Sequence, residues 1–249
     1  MQILHLDPYL VAVNKPAGWL VHRSAIDRHE TRIVLQQVRD QLGRRVYPLH
    51  RLDKPTAGVL LFALDADTAR IMTERFAAGD VHKRYLAIVR GHVPEQDVID
   101  HPLAEEQDET TDRLADQDKP PQQAVTGYRR LAVAELPYPV GRYATARYSL
   151  VQAFPRTGRK HQIRRHMKHI FHPIVGDTTH GDGKQNRLFR EKFRCNRLLL
   201  AAHGMSFAHP GTDQALDIVA PLDEEFIRIG AALGWQDVLI AGNMAVTKI

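Results

Sequence analysis

The 249-residue chain carries 34 lysines and arginines against 29 acidic residues, with 43% hydrophobic and 25% charged positions. These proportions suit a globular protein with a substantial core, and the single cysteine, Cys195, excludes an internal disulfide and fits a reducing cytoplasm. The longest apolar run is the eight residues Ala57 to Leu64, far below the roughly 20 that span a bilayer, and the opening MQILHLDPYL lacks the basic start of a signal peptide.

Along the chain, Ile3 to Leu6 and Leu10 to Asn14 read as strands joined by the Asp7-Pro8 turn. Asn14 to Gly18 is a loop by its Pro and Gly content. Ile33, Leu35, Val38 and Leu42 give residues 30–42 a helical face that Gly43 would stop. Val59 to Ala63 reads as a buried strand. A helix capped by Asp65 or Asp67 follows to Ala78, with Gly79 as its end. Lys83 to Arg90 and Arg147 to Phe154 are strands, and Lys160 to His169 a helix. Thr178 to Asn196, rich in Gly, Asn and Arg, reads as an insertion or long loop. Leu198 to Ala201 is a further buried strand and Leu222 to Leu233 a closing helix. The pattern predicts an α+β fold, a mixed, largely antiparallel β-sheet flanked by helices and loops.

Charge is segregated. Leu136 to Gly176 contains no acid but holds Arg142, Arg147, Arg156, Arg159, Lys160, Arg164, Arg165 and Lys168. Between Glu105 and Asp118, seven acids stand against Arg113 alone. The first stretch suits phosphates and the second repels them, so a nucleic-acid partner is expected. Two solvated faces of opposite sign would read the same way. The acidic stretch and Pro120-Pro121 are expected to form a loop between two lobes.

The sharpest chemical signal is His50-Arg51-Leu52-Asp53-Lys54-Pro55-Thr56-Ala57-Gly58, a carboxylate in a polar loop that runs directly into the buried strand. In an extended segment Arg51 and Asp53 share a face. On residue chemistry alone, a turn in which Asp53 bonds local amides accounts for the pattern equally well. However, HRLDKPTAG resembles the HRLD-x-x-T-S-G signature of the large pseudouridine synthase family that modifies ribosomal RNA and tRNA. Three more blocks resemble that family in the same order: YLVAVNKPAGWLVH near the start, Lys83-Arg84-Tyr85, and TGRKHQIRRH followed by HPIVGD. GWLVHRS and the stretch from Arg164 to Arg187 resemble its tRNA position-65 branch. Ala57 replaces the family's usual Ser, and Ala201 stands where His is expected.

The resemblance implies one catalytic domain of two lobes over residues 1–249, without an S4-type N-terminal RNA-binding module, acting as a monomer on tRNA. It implies that Asp53 is the catalytic carboxylate, and that Arg164 pairs with it through a planar fork. Tyr85 corresponds to the residue that stacks on the target base, and Arg51 to the one that displaces the uridine from its stack. Arg159, Lys160, Arg165 and Lys168 are expected to contact the RNA backbone. The implied reaction is an isomerisation and needs no cofactor. Two other readings stay open within RNA chemistry: a ribosomal RNA member of the family, and a non-catalytic RNA-binding protein. The clustered His161, His166, His169 and His172 raise a metal site, but no pair among them has the i, i+4 spacing of helical zinc ligands, so none is expected.

Overall fold

The computed structural model describes residues 1–23, 30–105 and 120–244. The strands are β1 (Gln2–Leu6), β2 (Leu10–Lys15), β3 (Tyr47–Pro48), β4 (Ala57–Ala63), β5 (His82–Arg90), β6 (Gln96–Asp100), β7 (Val125–Leu136), β8 (Ala146–Pro155), β9 (Leu200–Ala208) and β10 (Ala215–Val219). The helices are α1 (Val34–Leu42), α2 (Ala66–Ala78), α3 (Gln162–His169), α4 (Gly183–Phe193), α5 (Glu224–Ala232) and α6 (Gln236–Met244). All ten strands join one sheet in the order β1-β2-β4-β9-β5-β8-β7-β6, with β3 added to β4 and β10 to β9. Its pairings are antiparallel except for β4 with β9, which confirms the mixed, largely antiparallel α+β architecture.

Strand periodicity explains the layers. In β4, Leu60 and Phe62 face α1 through Val34 and Val38. Val59 and Leu61 face α2 through Met72. Because helices cover both faces, β4 is apolar without alternation. The other half repeats the scheme. Leu86, Ile88 and Leu150 pack against α4 and α5, while Ala87, Val89 and Val151 pack against Ile163 and Met167 of α3.

Several expectations need correction. Helix α1 starts at Val34 rather than at residue 30. The Glu30 carboxylate accepts the Thr31 and Arg32 amides, and Ile33 bridges to Leu20 in extended form. Thr178 to Asn196 is not a long loop, since it contains α4. The Asp182 side chain accepts the Lys184 and Gln185 amides, and the helix buries Leu188 and Phe189. Strand β9 begins two residues after Leu198 and runs on to Ala208, because β10 pairs with its second half. Helix α5 is followed by α6. Strands β3, β6, β7 and β10 had no sequence assignment. Most of the acidic stretch, from residue 106, lies outside the described residues.

Candidate active site

Asp53 sits in the loop between β3 and β4. Its carbonyl accepts the Thr56 amide at 3.0 Å, and its carboxylate is partly open, with the side chain 28% exposed. Lys15, at the end of β2, lies fully buried beneath this loop. Its ammonium donates to the carbonyls of Pro16, Lys54 and Thr56 at 3.1, 3.0 and 2.7 Å. Burial pushes the Lys15 pKa down to about 7, against the pull of the Asp53 charge and with repulsion from Arg197. The same loop is tied to β4 by His50, whose Nε2 accepts the Leu61 amide at 3.1 Å. Asp53 is therefore carried by a loop fastened to the core on both sides.

Arg164 projects from α3 and is buried. Its Nη1 donates to Asp53 Oδ2 at 3.1 Å, as expected, but the planar fork is spent elsewhere. Nε and Nη2 grip Asp177 Oδ2 and Oδ1 at 2.7 and 2.8 Å. Asp177 also accepts the Thr179 and His180 amides, both at 2.9 Å. Burial raises the Asp177 pKa, yet Arg164 and those amides outweigh it and hold the carboxyl ionised. The guanidinium is thus fixed by one buried carboxylate and offers its remaining arm to Asp53. Sequence reasoning missed Asp177 and Lys15. The signals for Lys15 were its place just after the apolar run Leu10 to Val13 and within the block YLVAVNKPAGWLVH.

Tyr85 comes from β5, where the pairing with β9 slips between Arg84 and Leu86. Such a bulge re-aims the side chain it carries. Burial first, and then the Asp53 charge, raises the Tyr85 pKa, so the phenol beside the carboxylate stays neutral. Arg51 does not accompany Asp53 as an ion pair among the described residues. It is exposed, and its charge adds to burial in lowering the His22 pKa. His161, weighed above only as a metal ligand, reaches the site. Its Nε2 lies 3.9 Å from Asp53 Oδ2, and its Nδ1 is 3.0 Å from His180 Nε2.

The basic residues expected to contact RNA lie in the turn before α3 and on α3 itself. Arg159 and Lys160 are exposed in the turn before α3, not in its first turn, because the helix begins at Gln162. The Gln162 side chain fixes that start. It donates to Val125 O and Thr126 Oγ1 and accepts from Thr157 Oγ1 and the Arg159 amide. Arg165 is half-buried and donates to Ala104 O at 2.9 Å, whereas Lys168 is exposed.

Among the described residues, His5, Asp7 and His209 alone have metal-ligand spacing, at the end of β2 opposite Lys15. His209 Nδ1 accepts the Gly211 and Thr212 amides. The proton of the neutral ring therefore sits on Nε2, where it donates to Asp7 at 2.9 Å. A metal at Nε2 would displace that proton while Nδ1 has no room for one, so the trio is a hydrogen-bonded latch.

The family model described as RNA pseudouridylate synthase matches residues 9–169, which include Asp53, Tyr85 and Arg164. The chain belongs to that family. As a pseudouridylate synthase it is an isomerase, and two relatives agree with it over nearly their whole length. It is 55% identical over 240 residues to the tRNA pseudouridine synthase C of Vibrio cholerae, covering 96% of this chain and 98% of that one. The protein of the same name from Haemophilus influenzae is 51% identical over 238 residues, covering 96% and 100%. Among solved structures, human RNA pseudouridylate synthase domain containing 4 superposes with a TM-score of 0.69 at 28% identity, covering 94% of this synthase and 93% of that chain.

Proposed function

We propose that this synthase converts a uridine of tRNA, at position 65 in the T-stem, to pseudouridine in the cytoplasm, as a single-domain monomer. The observation that carries the chemistry is the Arg164 bridge, which hydrogen-bonds the partly open Asp53 carboxyl group and fixes it against Asp177, beside the neutral Tyr85 phenol. The tRNA substrate is carried over from relatives named tRNA pseudouridine synthase C.

In the reaction the N1–C1′ bond of the uridine breaks, the uracil turns, C5 bonds to C1′, and the C5 proton is exchanged for one on N1. Atoms and electrons balance within the substrate. Asp53 is the catalytic carboxylate at the sugar and base. Tyr85 stacks on the uracil, and its un-ionised hydroxyl avoids placing a second negative charge beside Asp53. Arg164 orients the carboxylate. A stacked base must leave the helix to reach this centre, at a cost of roughly a few kcal/mol. Arg51, exposed beside Asp53 in sequence, fills the space that the uridine vacates. Arg159, Lys160, Arg165 and Lys168 contact phosphates, positioning the RNA without reading its sequence.

The test is incubation with unmodified tRNA transcripts in the presence of chelator, mapping pseudouridine by carbodiimide-dependent primer-extension stops, with Asp53→Ala alongside. A stop at position 65 that the variant lacks is the expected result. A stop in ribosomal RNA fragments alone would keep the chemistry and overturn the substrate. No pseudouridine in either RNA would leave a binding protein.

A further inference from the structure

Helix α3 is bracketed by two non-glycine residues in the left-handed region, His161 at φ 54° before it and Phe171 at φ 64° just after it. His161 lies beside Asp53, so its strain sits within the site already described. Phe171 has no such explanation. A bulky side chain in this conformation is costly, and glycine is the usual occupant of a left-handed position after a helix. The aromatic ring also gains nothing from the fold, because Phe171 is 84% exposed, the most open of the exposed large apolar residues described.

The backbone that presents it is firmly held. The Ile170, Phe171 and His172 amides donate to His166, Lys168 and Met167 carbonyls at 3.2, 3.0 and 2.9 Å. The His172 ring bonds Arg90 O through Nδ1 at 2.8 Å, the Arg90 amide donates to Pro173 O, and Ile174 bridges to Val89 of β5. A fully bonded turn anchored to the central sheet therefore holds out a phenyl ring in a strained conformation. Strain of this kind persists where it serves function. The surroundings select the partner: exposed Lys168 stands three residues before it, and the acid-free stretch from Leu136 to Gly176 runs through both. An exposed aromatic face three residues from an exposed lysine, within a stretch rich in basic residues, matches the stacking platforms of proteins that bind nucleic acid.

We propose that Phe171 is an RNA-contact residue that packs its ring on a base or ribose of the substrate flanking the target uridine. The inference rests on the tRNA reading above. Helix α3 runs on from Arg164 to His169, about 8 Å at the α-helical rise, and Phe171 lies two residues past its end, so the ring stands more than two steps of stacked nucleic acid from Arg164. The ring thus acts at a distance from the reacting atoms and contributes to binding and register.

The test uses the full chain and an unmodified tRNA transcript, comparing Phe171→Gly and Phe171→Trp with wild type in equilibrium binding and in single-turnover pseudouridine formation. Glycine relieves the strained φ, so that variant should melt no lower than wild type, and folding will not confound the result. The expected outcome is transcript binding weakened between about 5- and 100-fold by glycine and retained by tryptophan, with the single-turnover rate at saturating enzyme unchanged. Unaltered binding by the glycine variant, with an active wild type, would overturn this inference alone. Lost self-association in sedimentation with tRNA affinity intact would also overturn it, in favour of a contact between copies of the chain. Wild type that forms no pseudouridine in tRNA would remove the tRNA reading and this inference with it.

Discussion

At the scale of single residues, the site depends on how one guanidinium is divided. Arg164 gives two of its donors to Asp177 and one to Asp53, so it locates the proposed catalytic carboxylate relative to the core. Lysine keeps the charge but is a compact point donor and cannot span both carboxylates. Arg164→Lys is therefore expected to lower kcat about 100-fold or more while leaving RNA affinity nearly intact, as measured by single-turnover kinetics beside a binding titration. Full activity would show that charge alone suffices. The pairing of Arg164 with Asp53 could be anticipated only through family resemblance, since 111 residues separate them. The Asp177 clamp was not anticipated, because HPIVGD looks in sequence like a turn rather than an ion-pair partner.

At the scale of elements, capping and periodicity located α2, where Asp65 accepts the Thr68 amide as its N-cap, but they failed for α4. The sequence does hold a D-x-x-Q start, Asp182 to Gln185, but the Gly, Asn and Arg content around it reads as loop. The latch at the β1–β2 turn was likewise invisible, because His209 meets Asp7 from the far end of the chain. It carries a pH signature. Burial raises the Asp7 pKa, but hydrogen bonds from His5, the Leu10 and Tyr9 amides and His209 outweigh this and bring it from 3.8 to about 2. A carboxyl with a depressed folded pKa adds stability that is fully present above 3.8 and is lost as pH falls through about 2. Asp7→Asn should cost roughly 1–2 kcal/mol at neutral pH, after allowance for partial exposure. That deficit should shrink to nothing in melts run down to the folded pKa, and one that is constant with pH would assign the loss to packing alone.

At the scale of the whole molecule, the two halves of the sheet meet where β4 and β9 run parallel over Ala57↔Ala201 and Gly58↔Ala202. The backbones approach so closely there that a Cβ on Gly58, at φ +115°, would lie 2.1 Å from Ala202 O. Both departures from the family pattern, Ala57 and Ala201, face each other at this junction, next to the loop that carries Asp53. Gly58→Ala should therefore destabilise the protein by about 3 kcal/mol or more, read by denaturant unfolding, and should impair catalysis through the adjoining loop. A variant of wild-type stability would show that the junction yields.

The sequence by itself determined the elements whose signals are local. Apolar alternation and runs marked β2, β4, β5 and β8, the Asp65 cap and Gly79 stop bounded α2, and the motif blocks singled out Asp53, Tyr85 and Arg164 as the proposed catalytic set. Only the tertiary structure decided what distant segments do for one another. It brought Lys15 under the Asp53 loop, Asp177 onto Arg164 and His161 beside the carboxylate, and it left Arg51 and Phe171 open to solvent. The physical reason is that helix and strand propensities act over a few residues. Burial, ion pairing and exposure depend on which faces the chain closes together, and no local pattern encodes that closure.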